Sequence, residues 1–186
     1  MTISTNDLKN GMTLDLSEGL FQVVDFQHVK PGKGGAFVRT TLKNTRTGAQ
    51  VDKTFRAAEK VEQAVIDKRE MQYLYAEAGD FVFMDNQTYD QLNVPPATLG
   101  DAVNYLVEGS TALLMMYKDE IVGVEIPASV ELDVTETEPG LQGDRSSAGR
   151  KPATVQTGLV VAVPLFVNVG DRIKVDTRSG DYMTRV

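Results

Sequence analysis

One stretch decides the fold, and it reads Leu20-Phe-Gln-Val-Val-Asp-Phe-Gln-His-Val-Lys-Pro-Gly-Lys-Gly-Gly-Ala-Phe-Val-Arg-Thr-Thr-Leu-Lys43. Its first ten residues mix β-branched and aromatic side chains, and residues 36–43 alternate apolar and polar ones, as half-buried strands do. The residues between them, Lys30–Gly35, include one proline and three glycines, which favour a tight turn. The stretch therefore predicts a β-hairpin with Lys33 in its tip.

The same pattern of short strands and turns continues along the chain. Turns are predicted at Asn44–Gly48, Glu77–Asp80 and Lys118–Glu120. The strands predicted after the hairpin are Gln50–Phe55, Gln72–Tyr75, Phe81–Met84, Thr111–Met116, Ile121–Ile126, Val130–Val134, Val155–Val163 and Arg172–Val175. This spacing is typical of small β-barrels and disfavours a parallel sheet with crossover helices.

One helix is predicted between the strands of the middle third. Pro95 and Pro96 stand near its start, and Gly109 follows its last turn. The apolar residues at helical spacing are Leu99, Ala102, Val103 and Leu106.

The composition sets limits on the class of protein. Of 186 residues, 41% are hydrophobic and 24% are charged, which is compatible with a packed core. No apolar run approaches the roughly 20 residues that span a bilayer, and the N-terminal sequence has no pattern of a signal peptide. Cysteine is absent, which fits a reducing compartment. We therefore expect a cytoplasmic protein with no membrane partner.

The charge is unevenly distributed along an acidic chain. The net charge is −7, but residues 27–60 carry eight basic side chains and only two acidic ones, Asp52 and Glu59. Residues 64–126 carry three basic and 11 acidic side chains. The basic stretch predicts local contact with phosphate, and a solvated, salt-bridged β-surface is the alternative interpretation.

The motifs of common catalytic and metal sites are missing from the sequence. His28 is the single histidine, and no nucleophile motif accompanies it. The carboxylates at Asp80, Asp85, Asp90 and Asp101 lack the spacing of a calcium loop. In the glycine-rich turn Lys33 is followed by Gly34 and a strand, whereas a nucleotide-binding loop needs Ser or Thr and a helix. We therefore expect no catalytic residue, no metal and no cofactor.

The geometry of the turn suggests a different role. Gly32, Gly34 and Gly35 permit positive φ angles and a close approach of the backbone to a partner. Lys33 stands among them without a bulky neighbour, so its ammonium group is suited to entering a crowded, phosphate-lined cavity. An exposed turn in which any lysine would serve is the alternative interpretation.

Three motifs resemble bacterial elongation factor P. They are Lys30-Pro-Gly-Lys-Gly-Gly-Ala-Phe-Val-Arg39 with Leu42-Lys-Asn44, then Thr137-Glu-Pro-Gly-Leu-Gln-Gly-Asp144, and a C-terminal series that includes Lys151-Pro-Ala-Thr154, Val163-Pro-Leu-Phe-Val167 and Ile173-Lys-Val-Asp-Thr177. The resemblance spans essentially the whole chain. It implies an all-β fold with an SH3-like (KOW-like) domain at 1–63, OB-fold domains at 64–126 and 127–186, and an outline similar to that of a tRNA.

The resemblance also implies a role in translation. Members of the family bind the ribosome, touching both subunits between the peptidyl and exit sites, when consecutive prolines stall synthesis. They position peptidyl-tRNA without catalysing a reaction themselves, and they are expected to act as monomers.

The residue roles implied by this resemblance fall in two loops. Lys33 matches the tip residue that points at the CCA end of peptidyl-tRNA, where some members carry an enzymatic modification, and its state here is left open. Supporting tip residues are Pro31, Gly32, Gly34 and Gly35. Phosphate contacts are expected from Lys30, Arg39 and Lys43, with Arg46 and Lys53 nearby.

The second loop resembles the family loop that meets the exit-site codon of messenger RNA. It comprises Gly143, Asp144 and Arg145, and Arg145 stands where the family more commonly has Thr. Arg150 and Lys151 add to the basic character of this stretch, which favours a backbone contact. An ordinary surface loop is the alternative interpretation.

A general RNA-binding or chaperone module built of OB-fold barrels is the second functional hypothesis. Such a module needs exposed aromatic side chains interleaved with basic ones. Aromatic residues make up 7% of the chain and tryptophan is absent, which disfavours this hypothesis.

Overall fold

The computed structural model describes residues 1–140 and 149–186. The described residues form three β-sheets with little helix, which confirms the predicted all-β class. They group into two compact units, one of residues 1–68 with 115–123 and the other of residues 69–114 with 124–186.

The first sheet contains the predicted hairpin. Its strands are β1 (Thr2–Ser4), β2 (Thr13–Leu16), β3 (Gly19–Val29), β4 (Phe37–Asn44), β5 (Gln50–Arg56) and β6 (Lys60–Ala64). Their order is β1-β6-β2-β3-β4-β5, and a short 3-10 turn, Thr5–Asp7, follows β1. The side chains of its core are Leu8, Leu14, Phe21, Val23, Val38, Leu42, Phe55 and Val61.

The second sheet has the order β11-β10-β7-β8-β9. Its strands are β7 (Asp67–Glu77), β8 (Asp80–Asp85), β9 (Gln91–Val94), β10 (Thr111–Tyr117) and β11 (Glu120–Glu125). Two predicted turns are confirmed, and both place two consecutive residues at positive φ, as two-residue hairpins require. These residues are Ala78 and Gly79 in one turn and Lys118 and Asp119 in the other.

The prediction of one continuous helix is wrong. A single α-helical turn, α1 (Pro96–Leu99), ends at Gly100, whose φ of +57° leaves the helical region, and a 3-10 turn spans Gly100–Asn104. The apolar residues Leu99, Ala102 and Leu106 are nevertheless buried. The helical spacing of the apolar residues therefore indicates which face of this segment is buried, although the α-helix itself ends at Gly100.

The third sheet has the order β14-β13-β12-β15-β16. Its strands are β12 (Ser129–Thr137), β13 (Arg150–Val155), β14 (Val160–Pro164), β15 (Arg172–Asp176) and β16 (Tyr182–Arg185). The strand predicted over 155–163 is wrong, because Gly158 takes a φ of +88° and turns the chain between β13 and β14. The core comprises Tyr105, Leu132, Val134, Ala153, Val155, Val161, Val163, Val167, Ile173 and Val175.

The domain boundaries at residues 63 and 126 stay a prediction. Within residues 1–140 and 149–186, no helix is long and apolar enough to cross a membrane. The same residues contain no group of three or more His, Asp or Glu side chains placed to hold a metal ion.

Candidate nucleic-acid interface

The hairpin of β3 and β4 holds the tip at residues 30–36. The two strands pair from Phe21 opposite Asn44 to Val29 opposite Phe37. β5 extends along β4 as far as Arg56, which lies opposite Phe37. Beyond that pair, the Ala57 N–H donates to the Ala36 carbonyl at 3.0 Å. Three strands therefore fix the base of the tip, so the position of the tip depends on a continuous hydrogen-bonded sheet.

The tip itself is open to solvent, and residues 30–35 are all exposed. Of its three glycines, only Gly34 takes a positive φ, at +102°. No atom lies within 4 Å of the place where a Cβ would stand on Gly32, Gly34 or Gly35. The backbone conformation therefore requires glycine at Gly34, whereas Gly32 and Gly35 contribute mainly their lack of bulk.

The two lysines of the tip have free ammonium groups. Within the described part of the chain, no hydrogen bond or ion pair engages the side chain of Lys30 or Lys33. A cation without a partner in the folded protein is available to an external anion, and phosphate is the anion that the basic stretch predicts.

Arg39 and Lys43 lie on one face of β4, but an acidic row separates them. Residues directly opposite each other in an antiparallel sheet share a face, and Thr41 lies opposite both Asp25 and Asp52. The Thr41 hydroxyl donates to Asp52 at 3.0 Å. The basic surface is therefore not continuous, since two carboxylates interrupt it between Arg39 and Lys43.

Lys53 lies on the opposite face and is already paired. Its register position opposite Thr40 puts it on the inner face of the sheet. Its ammonium lies 3.1 Å from a Glu18 carboxylate oxygen and 5.8 Å from the Phe55 ring centroid. The Ser17 hydroxyl and the Lys53 ammonium hold the pKa of Glu18 below its usual range. Lys53 therefore does not belong with Arg39 and Lys43 as a phosphate contact.

The second predicted loop lies outside the described residues, with Gly143, Asp144 and Arg145 in it. The residues on either side of it are described. Lys151 is 6% exposed, and its ammonium donates to the Glu138 carbonyl. The prediction that Lys151 adds to a basic surface is wrong, because Lys151 shares the buried face of β13 with Ala153 and Val155. The alternation of buried and less buried residues along β13 indicates this position of Lys151, whereas a count of charged residues does not.

Gly140, also beside this loop, packs closely on the chain near β14. A Cβ on Gly140 would stand 2.1 Å from the Leu165 carbonyl oxygen, far inside contact distance. Glu138 is thus bonded to a side chain of β13, and Gly140 packs on the residue that follows β14.

The sequence matches three family models in chain order. Residues 4–61 match "Elongation factor P (EF-P) KOW-like domain", residues 66–124 match "Elongation factor P (EF-P) OB domain", and residues 130–185 match "Elongation factor P, C-terminal". Elongation factor P of Acidothermus cellulolyticus is 58% identical over 182 residues, which cover 98% of this chain and 97% of that protein. The chain belongs to the elongation factor P family.

Further similarities agree with this family. Elongation factor P of Salinispora tropica is 60% identical to this chain over 182 residues, which cover 98% of each protein. Among solved structures, eukaryotic translation initiation factor 5A from Methanococcus jannaschii matches with a TM-score of 0.55 and 26% identity, over 68% of this chain and 92% of that one. The predicted family and the KOW-like and OB-like folds are confirmed, and this member of the elongation factor P family is a translation elongation factor.

Proposed function

We propose that the protein binds the ribosome between the peptidyl and exit sites and stimulates peptide-bond formation at stalled consecutive prolines. Lys33 contacts backbone phosphates near the CCA end of peptidyl-tRNA. The observation that carries this proposal is the Lys33 ammonium, which is exposed and unpaired within the described residues, on a tip whose base is held by three strands.

The proposed mechanism is orientation rather than acid–base chemistry. Proline is a conformationally restricted participant in peptide transfer, and a polyproline chain strains peptidyl-tRNA out of position. Restricting the tRNA to reactive geometries lowers an entropic barrier without any catalytic side chain from this protein. The ribosome supplies the chemistry. A hairpin whose base is held by three strands suits this role, because it fixes the point from which Lys33 reaches the tRNA.

The contact proposed for each of the other basic residues depends on which side of Asp25 and Asp52 that residue lies. Lys30 and Arg39 lie on the tip side of Asp25 and Asp52, and Lys43 lies beyond them. Carboxylates repel an approaching phosphate. We therefore propose that Lys30 and Arg39 contact the same single-stranded part of the tRNA as Lys33, while Lys43 contacts a separate phosphate. Each such contact is weak singly and is screened by salt.

The second proposed contact is with the exit-site codon of messenger RNA, through Gly143, Asp144 and Arg145. The resemblance of 137–144 to the family segment supports it, and Arg145 replaces the commoner Thr. The Lys151 ammonium donates to the Glu138 carbonyl, which ties together described residues that precede and follow this segment in the chain.

The protein acts in the cytoplasm as a monomer in this proposal. The exposed Lys33 ammonium is accessible to a lysine-modifying enzyme. The intact mass of the protein isolated from its own host shows whether the chain carries an added group, and the mass of the peptide that contains Lys33 decides whether Lys33 carries it.

The test is synthesis of a tri-proline peptide in a purified translation system, with protein isolated from its host. The wild type is expected to restore synthesis, and Lys33→Ala is expected to lose most of the stimulation. Lys9→Ala is the matched control, because Lys9 is an exposed lysine of the same unit and stands two residues before Gly11, whose N–H donates to the Val23 carbonyl, six residues before the end of β3 at the tip. Equal stimulation by Lys33→Ala and the wild type would overturn the role of the tip.

A second measurement separates this proposal from a general RNA-binding module. Filter binding with single-stranded RNA in the absence of ribosomes is expected to be weak. Tight ribosome-free binding, together with no stimulation of tri-proline synthesis, would favour the module.

A further inference from the structure

His28 lies beside the tip, on the face of the hairpin opposite to Arg39. It pairs with Val38, while its neighbour Gln27 pairs with Arg39. Val38 is fully buried, and Phe26, on the same face as His28, is half-buried against the core of the first sheet. His28 itself is exposed. The apolar inner face of the hairpin therefore continues past the core and ends in an uncovered aromatic ring.

The ring of His28 is held in a defined orientation. Its centroid lies 5.6 Å from that of Phe26, and the two ring planes are 85° apart, which is an edge-to-face contact. No hydrogen bond or ion pair engages its ring nitrogens within residues 1–140 and 149–186. His28 is therefore exposed and packs its ring edge-to-face with Phe26, while its ring nitrogens remain available to a partner.

We infer that His28 contacts peptidyl-tRNA by stacking its imidazole on an unpaired base near the 3′ end. This inference rests on the proposed function, in which Lys33 contacts the same single-stranded segment. Proteins recognise unpaired nucleotides by stacking bases on aromatic side chains, histidine among them, while basic groups follow the phosphates. His28 and Lys33 supply these two elements five residues apart on one hairpin.

The test titrates the factor into the tri-proline assay and measures the concentration that gives half-maximal stimulation. His28→Gln and His28→Ala are expected to raise this concentration about fivefold or more, as loss of one stacked base does. His28→Phe keeps a ring that stacks and is expected to remain close to the wild type. Tyr89→Ala, at an aromatic residue that is 70% exposed in the other unit, is the matched control and is expected to change nothing.

The outcomes separate stacking from a structural role and from failure of the proposed function. Only small changes in melting temperature are expected for the His28 variants, because the side chain is exposed and His28→Gln and His28→Ala lose its contact with Phe26. His28→Gln acting like the wild type, or His28→Phe acting like His28→Ala, would overturn the stacking role while leaving the proposal for Lys33 intact. Absence of stimulation by the wild type would overturn both.

Discussion

The Tyr117 hydroxyl donates a hydrogen bond of 2.9 Å to the Asp15 carboxylate, which precedes it by 102 residues in the chain. The Lys118 ammonium lies 3.3 Å from the same carboxylate oxygen. Tyr117 is the last residue of β10, and Lys118, at a positive φ, begins the two-residue turn between β10 and β11. Residues 115–123 belong to the same compact unit as residues 1–68. This hydrogen bond therefore helps to hold the turn within that unit.

Removing the Tyr117 hydroxyl is expected to destabilise this unit. A hydrogen bond to a charged group contributes more than a neutral one, but partial exposure of Asp15 reduces it, so we expect Tyr117→Phe to lower the free energy of unfolding by about 1 kcal/mol. Urea denaturation at about pH 7 measures this change. Tyr89→Phe is the control, since within the described residues the Tyr89 hydroxyl has no hydrogen-bond partner.

The effect of Tyr117→Phe should also depend on pH. The hydrogen bond from Tyr117 and the nearby Lys118 lower the pKa of Asp15 from its ordinary value of 3.8. A group whose pKa is lower in the folded state contributes stability above its unfolded pKa, and this contribution is lost as the pH falls through the folded pKa. We therefore expect wild type and Tyr117→Phe to differ at about pH 7 and to converge at about pH 2. A difference that is the same at both pH values would assign the loss to packing.

Two of the three open glycines of the tip, Gly34 and Gly35, are expected to respond differently to substitution. Gly34→Ala puts a Cβ on a residue with a φ of +102°, which is expected to cost about 1 kcal/mol and to change the shape of the tip. Gly35→Ala meets no neighbouring atom within 4 Å and has no positive φ, so it is the matched control. Urea denaturation measures the stability, and the tri-proline assay measures the maximum stimulation. Equal behaviour of the two variants would show that the conformation of Gly34 is not required.

Much of the fold follows from local sequence patterns. Alternation predicts β4 and β12, and paired positive φ angles at Ala78 and Gly79 match the turn expected at 77–80. Such patterns act within a few residues, so the sequence contains them directly. The helix prediction is wrong because the spacing of apolar residues indicates which face of a segment is buried but does not indicate that the α-helix ends at Gly100.

The candidate site is less predictable, because it depends on pairing between distant residues. Counting charges groups Arg39, Lys43 and Lys53, whereas the register places Lys53 on the other face and puts Asp25 and Asp52 between the first two. Lys151 is counted as a surface charge although its ammonium is buried against the Glu138 carbonyl. The role of Lys33 comes from family resemblance, since a free lysine in a turn has no chemistry of its own that identifies a partner.

Gly140→Ala is expected to destabilise the third sheet. Its Cβ would stand 2.1 Å from the Leu165 carbonyl oxygen, and since that neighbour is backbone, the chain must shift. Overpacking of this kind costs about 1–3 kcal/mol. Gly32→Ala is the control, because nothing lies within 4 Å of its Cβ position and its φ is not positive. Thermal unfolding of the two variants checks the prediction, and unchanged melting of Gly140→Ala would mean that residues 139–140 move without cost.

Tyr105→Ala is expected to weaken the second unit more than any other change considered. Tyr105 is 8% exposed and packs in the core of the third sheet, although it follows the 3-10 turn of the middle segment. The Thr157 hydroxyl donates to the Asn104 carbonyl at 2.7 Å and fixes the same segment. Truncation of a buried aromatic side chain leaves a cavity and costs about 3 kcal/mol or more.

Tyr105→Phe keeps the ring and should recover most of that loss, and Tyr89→Ala, whose side chain is 70% exposed, should cost almost nothing. Denaturant unfolding of the three variants tests this order, and a loss in Tyr105→Ala no larger than that in Tyr89→Ala would show that the segment does not stabilise the sheet.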